Sequence, residues 1–345
     1  MSSMMQMFLG SGSPTLGDPV YIDDVFSTDL WIGNGSTKSI TNGIDLDAEG
    51  GMVWTKCRDY ADNHYLSSTD FPATNSPYID ALYTNLDAQM EDSNNFGITS
   101  FNGNGFSAGG NNTQFNGDGY EYVSWSFRKA PGFFDVVHFT GNNNTSESQI
   151  INHSIGSVPG CVIIKNLDST DDWYVWHGDH EWAPGEGLIL NDKVSTSSTY
   201  RALASTPTST TFTAYGANTN TDGDDYVAYI FANDDERFGD DRDESVIACG
   251  SYDDTGDVEL GWEPQWLFTK SIDNTDDYTG DWRIIDIERG FVSGDDCQLF
   301  ANSNRIENCS QYGMIADRYS TGFTVEGQGS YGDSTIYVAI RKPMQ

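Results

Sequence analysis

One pattern is written three times in this chain, and its length constrains the fold more than any other feature. Around Lys56 the sequence reads GMVWTKCRD, around Lys165 GCVIIKNLD and around Lys270 QWLFTKSID. Each is an apolar run, a lysine, two variable residues and an aspartate, and the lysines lie 109 and 105 residues apart. A closing run follows each: YEYVSWSF at 120–127, DYVAYIF at 225–231 and TIYVAIR at 335–341, with Tyr122, Tyr226 and Tyr337 each preceding a valine. An aromatic marker, Phe106, Phe212 or Phe323, stands 16, 14 and 14 residues before those tyrosines. Three markers in constant order define an internal repeat. A unit of about 105 residues can bury a core of its own, unlike the short repeats of solenoids. The expectation is a row of complete domains.

The fold class follows from the texture of each unit. Short apolar or alternating runs such as FFDVVHF (133–139), DWYVWH (172–177) and TTFTAYG (210–216) are bounded by turn clusters such as GNNNTS and NTNTDGDD. Strands at this spacing predict an all-β chain of three tandem antiparallel β-sandwich modules of jelly-roll or lectin-like type. The boundaries are residues 1–24 for a Met-rich anchor and linker, then modules at 25–131, 132–235 and 236–345. The segment 78–91, with Ile79, Leu82, Tyr83 and Leu86 near helical spacing, predicts at most one surface helix.

Charge excludes whole classes of partner. Seventeen basic residues against 52 acidic ones give a net charge of −35. Phosphate backbones and anionic membrane surfaces both require clustered Lys and Arg, so neither nucleic acid nor membrane is expected. Self-repulsion of this size is screened in salty water, and it also suits divalent cations. No run approaches the length of a membrane span, and the start MSSMMQMFLG has neither the basic residues nor the apolar core of a secretion signal. Of five cysteines, Cys57, Cys161 and Cys249 sit in or beside apolar runs, while Cys297 and Cys309, twelve apart, are placed to pair across a hairpin.

Four groups of residues are candidates for chemistry. The turns after the lysines, DSTDD at 168–172 and DNTDD at 273–277, offer Asp168, Asp171, Asp172, Asp273, Asp276 and Asp277 as calcium ligands or as ordinary hairpin residues. Trp173, Trp176 and Trp182 form the densest aromatic cluster, suited to stacking on a glycan or to core packing. HGDHE at 177–181 places His177 and His180 at a zinc-like spacing, in a loop context without the helical pattern of zinc hydrolases. The recurring lysines read as strand-end charges guarding a sheet edge or as partners of the following Asp turn. Neither a nucleophile elbow nor a phosphate-binding loop is present, and no catalytic residue is expected.

The runs LWIGNGSTKSITNGIDLDAEGGMVWTKCRD, GDGYEYVSWSFRKAPGFFDVVHFTGN and HSIGSVPGCVIIKNLDSTDDWYVWH resemble virion structural proteins of marine bacteriophages, tail-fibre-like or appendage proteins with lectin-like β domains. The resemblance covers about 25–235 strongly and the third copy more weakly. It implies a non-enzymatic virion component that contacts other virion proteins and host surface glycan, as a homo-oligomer. Met4, Met5, Met7, Phe8 and Leu9 are then candidates for a virion-anchoring peptide. The alternatives are a capsid decoration or head-fibre protein and, from another class, a glycan-degrading enzyme.

Overall fold

A computed structural model describes residues 18–91, 95–142, 148–179, 186–253, 256–273, 275, 280–291, 297–309, 315–325 and 334–344. The first module holds β1 (Phe26–Ile32), β2 (Lys38–Thr41), β3 (Gly51–Cys57), β4 (Tyr65–Ser68), β5 (Gly97–Asn102), β6 (Gly105–Gly109) and β7 (Glu121–Arg128). Two sheets result, ordered β1-β7-β3-β4 and β2-β6-β5. The second module holds β8 (Phe134–Thr140), β9 (Ser148–Asn152), β10 (Cys161–Asn166), β11 (Tyr174–His177), β12 (Leu188–Ile189), β13 (Leu203–Ser205), β14 (Thr211–Tyr215) and β15 (Asp225–Phe231). Its sheets run β12-β11-β10-β15-β8 and β13-β14-β9. The third holds β16 (Ile247–Asp253), β17 (Gly256–Glu259), β18 (Pro264–Ser271), β19 (Arg283–Asp286), β20 (Leu299–Phe300), β21 (Ile315–Tyr319), β22 (Gly322–Val325) and β23 (Ser334–Arg341), in sheets β16-β23-β18-β19-β20 and β17-β22-β21.

The three topologies are the same. In each, the lysine-bearing strand pairs with the closing strand, and the closing strand pairs with the opening one. Every pairing between these strands is antiparallel, and the chain is all-β as its sequence texture predicts. The first module keeps only an isolated bridge, Leu66 to Leu82, where the others have β12 and β20. Residues 78–91 are therefore this seam-side extension and not a helix. Their apolar spacing serves burial of Ala81, Leu82 and Tyr83, which are all inside.

Register corrects one marker of the repeat. Cys57 faces Tyr122 and Asn166 faces Tyr226, but the matching Ser271 faces Thr335, so Tyr337 lies two residues past the equivalent position.

The lysine strands do not alternate apolar and polar because both of their faces are covered. On β3, Val53 and Cys57 point to a private core with Ile40, Ile98, Phe106 and Ala108 from the smaller sheet. Met52 and Trp54 point the other way, into a cluster that draws on all three modules. The third module divides likewise, with Leu267, Tyr337 and Phe323 in its private core and Trp266, Phe268 and Val338 in the shared one. Aromatic pairs tie the modules there: Trp54 to Phe268 at 5.9 Å, Phe127 to Trp266 at 5.6 Å and Phe127 to Phe231 at 5.9 Å between ring centroids. The expectation of independent domains in a row is thus corrected. Each module's large sheet needs its neighbours to cover its second face, which a chain of beads would leave in water.

Unfolding is accordingly expected as one cooperative transition, and an isolated second module (residues 132–235) is expected to remain unfolded. Calorimetry and urea titration followed by tryptophan fluorescence would check this. Three separable transitions, or a folded isolated module, would contradict the shared core. Trp266→Ala should cost about 3–5 kcal/mol of whole-chain stability.

Candidate functional site: the seams between modules

The polar groups that the repeat pattern singles out converge on the seams. Three sets of contacts recur there, and each runs from the first module to the second, the second to the third, and the third back to the first.

The first set is backbone to backbone. Met90 N donates to Leu167 O at 3.0 Å, Thr196 N to Ile272 O at 3.2 Å and Glu307 N to Arg58 O at 2.8 Å. The three acceptors each lie two residues after a repeat lysine. The second set uses an aromatic ring at the start of the next module's hairpin. Trp173 Nε1 donates to Tyr83 O at 3.2 Å and to Leu86 O at 3.0 Å, and Trp282 Nε1 donates to Ile189 O at 2.8 Å. His64 takes this place in the first module. Its Nδ1 accepts from Trp54 Nε1 at 3.0 Å, so the remaining proton sits on Nε2, which is turned loosely toward the Phe300 carbonyl. Burial holds the His64 pKa well below its usual value, in keeping with this neutral tautomer.

A third set starts from one position on the strand after the lysine strand: Ser68, His177 and Asp286 occupy the same register. Ser68 Oγ meets Tyr229 OH at 3.2 Å, His177 Nε2 meets Tyr337 O at 3.0 Å, and Asp286 Oδ2 accepts from Trp125 Nε1 at 2.9 Å. The seams thus close into a ring.

A fourth repeat mark, not singled out in the sequence reading, orients the seam rings. LYTN, LILN and LFAN end on Asn85, Asn191 and Asn302. Their Oδ1 atoms accept the backbone N–H of His64, Trp173 and Trp282 at 2.8, 2.9 and 2.9 Å. Their Nδ2 atoms donate to Asn63, Asp172 and Asp281 at 2.8, 2.8 and 2.7 Å. A Leu-x-x-Asn spacing of 106 and 111 residues was available to find them.

The repeat lysines are fully buried on central strands, so they guard no sheet edge. Each ammonium caps the turn that follows its own strand. Lys56 Nζ donates to Cys57 O at 2.6 Å and Tyr60 O at 3.3 Å, and Lys165 Nζ to Asn166 O at 2.8 Å and Ser169 O at 3.3 Å. Lys270 Nζ donates to Ser271 O at 2.5 Å and reaches across the seam to Lys193 O at 3.5 Å. Desolvation lowers all three pKa values, to about 8 for Lys56 and Lys165 and about 7 for Lys270.

The seam between the third module and the first is also the most charged. Glu307 pairs with Arg58 at 2.6 Å and with Arg289 at 3.3 Å, and Arg289 pairs with the buried Asp286 at 2.7 Å.

The other sequence candidates divide as follows. Trp173 is buried in a seam and presents no face to a sugar, Trp176 packs half-buried against the shared core, and Trp182 lies outside the described residues. His177 is a seam residue, and His180 and Glu181 lie outside the described residues. Asp168 Oδ2 accepts from Asp225 N at 2.6 Å and Asp273 Oδ2 from Ser334 N at 3.2 Å, each fastening the lysine turn to the closing strand. Asp171 Oδ1 accepts from Asp172 N and the Tyr174 hydroxyl, and Asp172 Oδ1 accepts from Asn191, so these carboxylates are engaged within the hairpin. Asp276 and Asp277, like Met4, Met5, Met7, Phe8 and Leu9, lie outside the described residues. At the outer end of the first seam a cleft of about 340 Å³ is lined by Asp70, Phe71, His138, Phe139, Thr140 and Asp225, among others.

The lysines set a pH dependence whose sign is fixed. Their native values lie below the 10.5 of an unfolded lysine. Between the two, the unfolded chain holds more protons, so stability rises with pH from about 7–8 until ionisation in the unfolded chain, of the three buried cysteines near 9 and then of tyrosines near 10, opposes it. Each lysine contributes a slope of up to about 1.4 kcal/mol per pH unit. Urea unfolding across this window should show the rise, and Lys165→Met should reduce its slope by about a third. An unchanged slope in the variant would reject the assignment.

No curated protein and no solved structure matches the chain. One family model spans residues 22–342, from the start of the first module to the end of the third, and so takes in the whole ring as a unit. The chain belongs to that family, the domain of unknown function DUF7483.

Proposed function

We propose that the chain is a non-enzymatic structural component of a bacteriophage virion, a tail-fibre or appendage protein that contacts host surface glycan. The observation that carries this reading is where the perturbed groups are. Lys56, Lys165, Lys270 and His64 have shifted pKa values, the usual mark of a catalytic cleft. Here the lysines are buried against carbonyls of their own following turns and His64 is buried at a seam, so desolvation in the packed structure accounts for the shifts. A rigid acidic ring of three β-sandwiches suits a particle that persists in salty water. The sequence resemblance to marine phage virion proteins points the same way. Met4, Met5, Met7, Phe8 and Leu9 would attach the ring to the particle, and a homo-oligomer would multiply weak glycan contacts.

Glycan contact fits the seam cleft better than the tryptophan cluster. The exposed His138 and the half-buried Phe139 line this cleft beside Asp70, Thr140 and Asp225, which accept or donate at hydroxyls.

A second reading, a capsid decoration protein, is favoured by the cyclic order of the seams. One chain with three similar modules in a ring presents near-threefold contacts, which match threefold positions of an icosahedral head.

Electron microscopy of phage particles labelled with an antibody to this chain separates the readings. Label at the tail is expected for an appendage, label spread over the head would favour decoration, and unlabelled particles would overturn both. Deleting residues 1–12 should leave a folded ring that no longer enters particles.

A further inference from the structure

The three seams are not equivalent in connectivity. The first two modules are joined directly by the short stretch between Arg128 and Phe134, and the second and third by the stretch between Phe231 and Ile247. The third module and the first meet with no direct chain connection. That seam must therefore hold by side-chain and backbone contacts, and its loop is built differently from the other two.

Besides Asp286, which accepts from Trp125, the loop that reaches the first module supplies a set of contacts to that closure. Phe300 O faces His64, Ala301 O accepts from Thr84 Oγ1 at 2.8 Å, and Glu307 supplies both its backbone N–H and its carboxylate to Arg58. Cys297 and Cys309 bracket this loop and are joined in a disulfide. At the position of Cys297, three residues before the seam carbonyl, the first and second modules have Asp80 and Glu186. At the position of Cys309, nine residues after it, the second has Ser198. The covalent brace occurs only on the loop whose seam lacks a chain tether.

We propose that Cys297 and Cys309 are an oxidative modification site that clasps the ring at its untethered seam, closed by a low-molecular-weight disulfide. The exchange balances without another reactant. One thiolate attacks the oxidant's disulfide to give a mixed disulfide and release one thiol. The second thiolate then displaces the other half, so two protein thiols become one disulfide and the oxidant leaves as two thiols. Cross-linking the loop's ends removes open conformations in which Phe300, Ala301 and Glu307 leave the first module. The other three cysteines do not compete, because Cys57, Cys161 and Cys249 are buried free thiols.

The test uses the full chain in its oxidised form, after reduction and thiol blocking, and as the Cys297→Ser/Cys309→Ser variant. Amide hydrogen exchange is read at Glu307, the donor of the closing seam, and at Met90 and Thr196, its equivalents in the tethered seams. Reduction and the double variant should each speed exchange at Glu307 by about tenfold or more while Met90 and Thr196 stay unchanged. Equal acceleration at all three, or none at any, would overturn the clasp. Free thiols at Cys297 or Cys309 in the oxidised preparation would do the same. So would a reduced protein that stays protected at Glu307 by holding zinc on Cys297, Glu307 and Cys309, whose ligand atoms lie within 4.8 Å of one another.

Discussion

Burial of the large sheets on both faces is the constraint from which the rest of this structure follows. A sheet that packs only against its own partner sheet leaves a second face to water and alternates polar residues along it. Here β3, β10 and β18 are buried along their whole lengths, and the second face of each carries residues such as Met52, Trp54, Ile163, Trp266 and Phe268. At roughly 25 cal/mol per Å² of apolar surface, exposing such faces would cost far more than a domain's net stability. Three sheets with this property cover one another most simply by closing into a ring. The seams then have to satisfy every backbone group at the rim of the shared core, because an unpaired buried carbonyl costs about 1–3 kcal/mol.

That requirement explains why buried cations recur in so acidic a chain. Each lysine ammonium is buried beneath the turn that follows its strand, although the outer residues of these turns, such as Tyr60 and Asp168, reach the surface. An ammonium carries three donors on a flexible stem, so one side chain answers two carbonyls at once. Desolvation makes the charge expensive, and the depressed lysine pKa values record that cost. The cost is borne because the uncapped carbonyls would be worse.

The repeat and the all-β texture are readable in the chain because a lysine strand, an aromatic and a closing strand return in order. The closure of the ring is not, because a row of domains and a ring have the same repeat. Two traces of it were present. The run Met52-Val53-Trp54-Thr55-Lys56-Cys57 lacks the alternation of a one-sided strand, and the Leu-x-x-Asn mark at Asn85, Asn191 and Asn302 fixes, within each hairpin, the residue that faces the neighbouring module. Trp173 misleads for the same reason. An indole beside aspartates reads as a surface platform until the neighbouring module that covers it is known. The slip at Tyr337 is of another kind: the third closing strand carries a Tyr-Val pair out of register, and only strand pairing places Thr335 opposite Ser271.

The seams keep their geometry while changing their chemistry, and this shows what is being held constant. Ser68, His177 and Asp286 share a register, yet they meet a tyrosine hydroxyl, a backbone carbonyl and an indole N–H in turn. Trp173 and Trp282 give way to His64 in the first module. Only the backbone bonds from Met90, Thr196 and Glu307 are the same in all three. A backbone donor and acceptor fix the separation and slide of two modules regardless of side chain, so the surrounding side chains are free to vary as long as each buried polar atom finds a partner. The charged cluster of Arg58, Arg289, Asp286 and Glu307 at the third seam is one such variation. A buried ion pair adds little net stability over apolar packing, but losing one member strands the other. It therefore opposes slippage more than it opposes separation, and slippage is the freedom that a seam without a direct chain connection would otherwise keep.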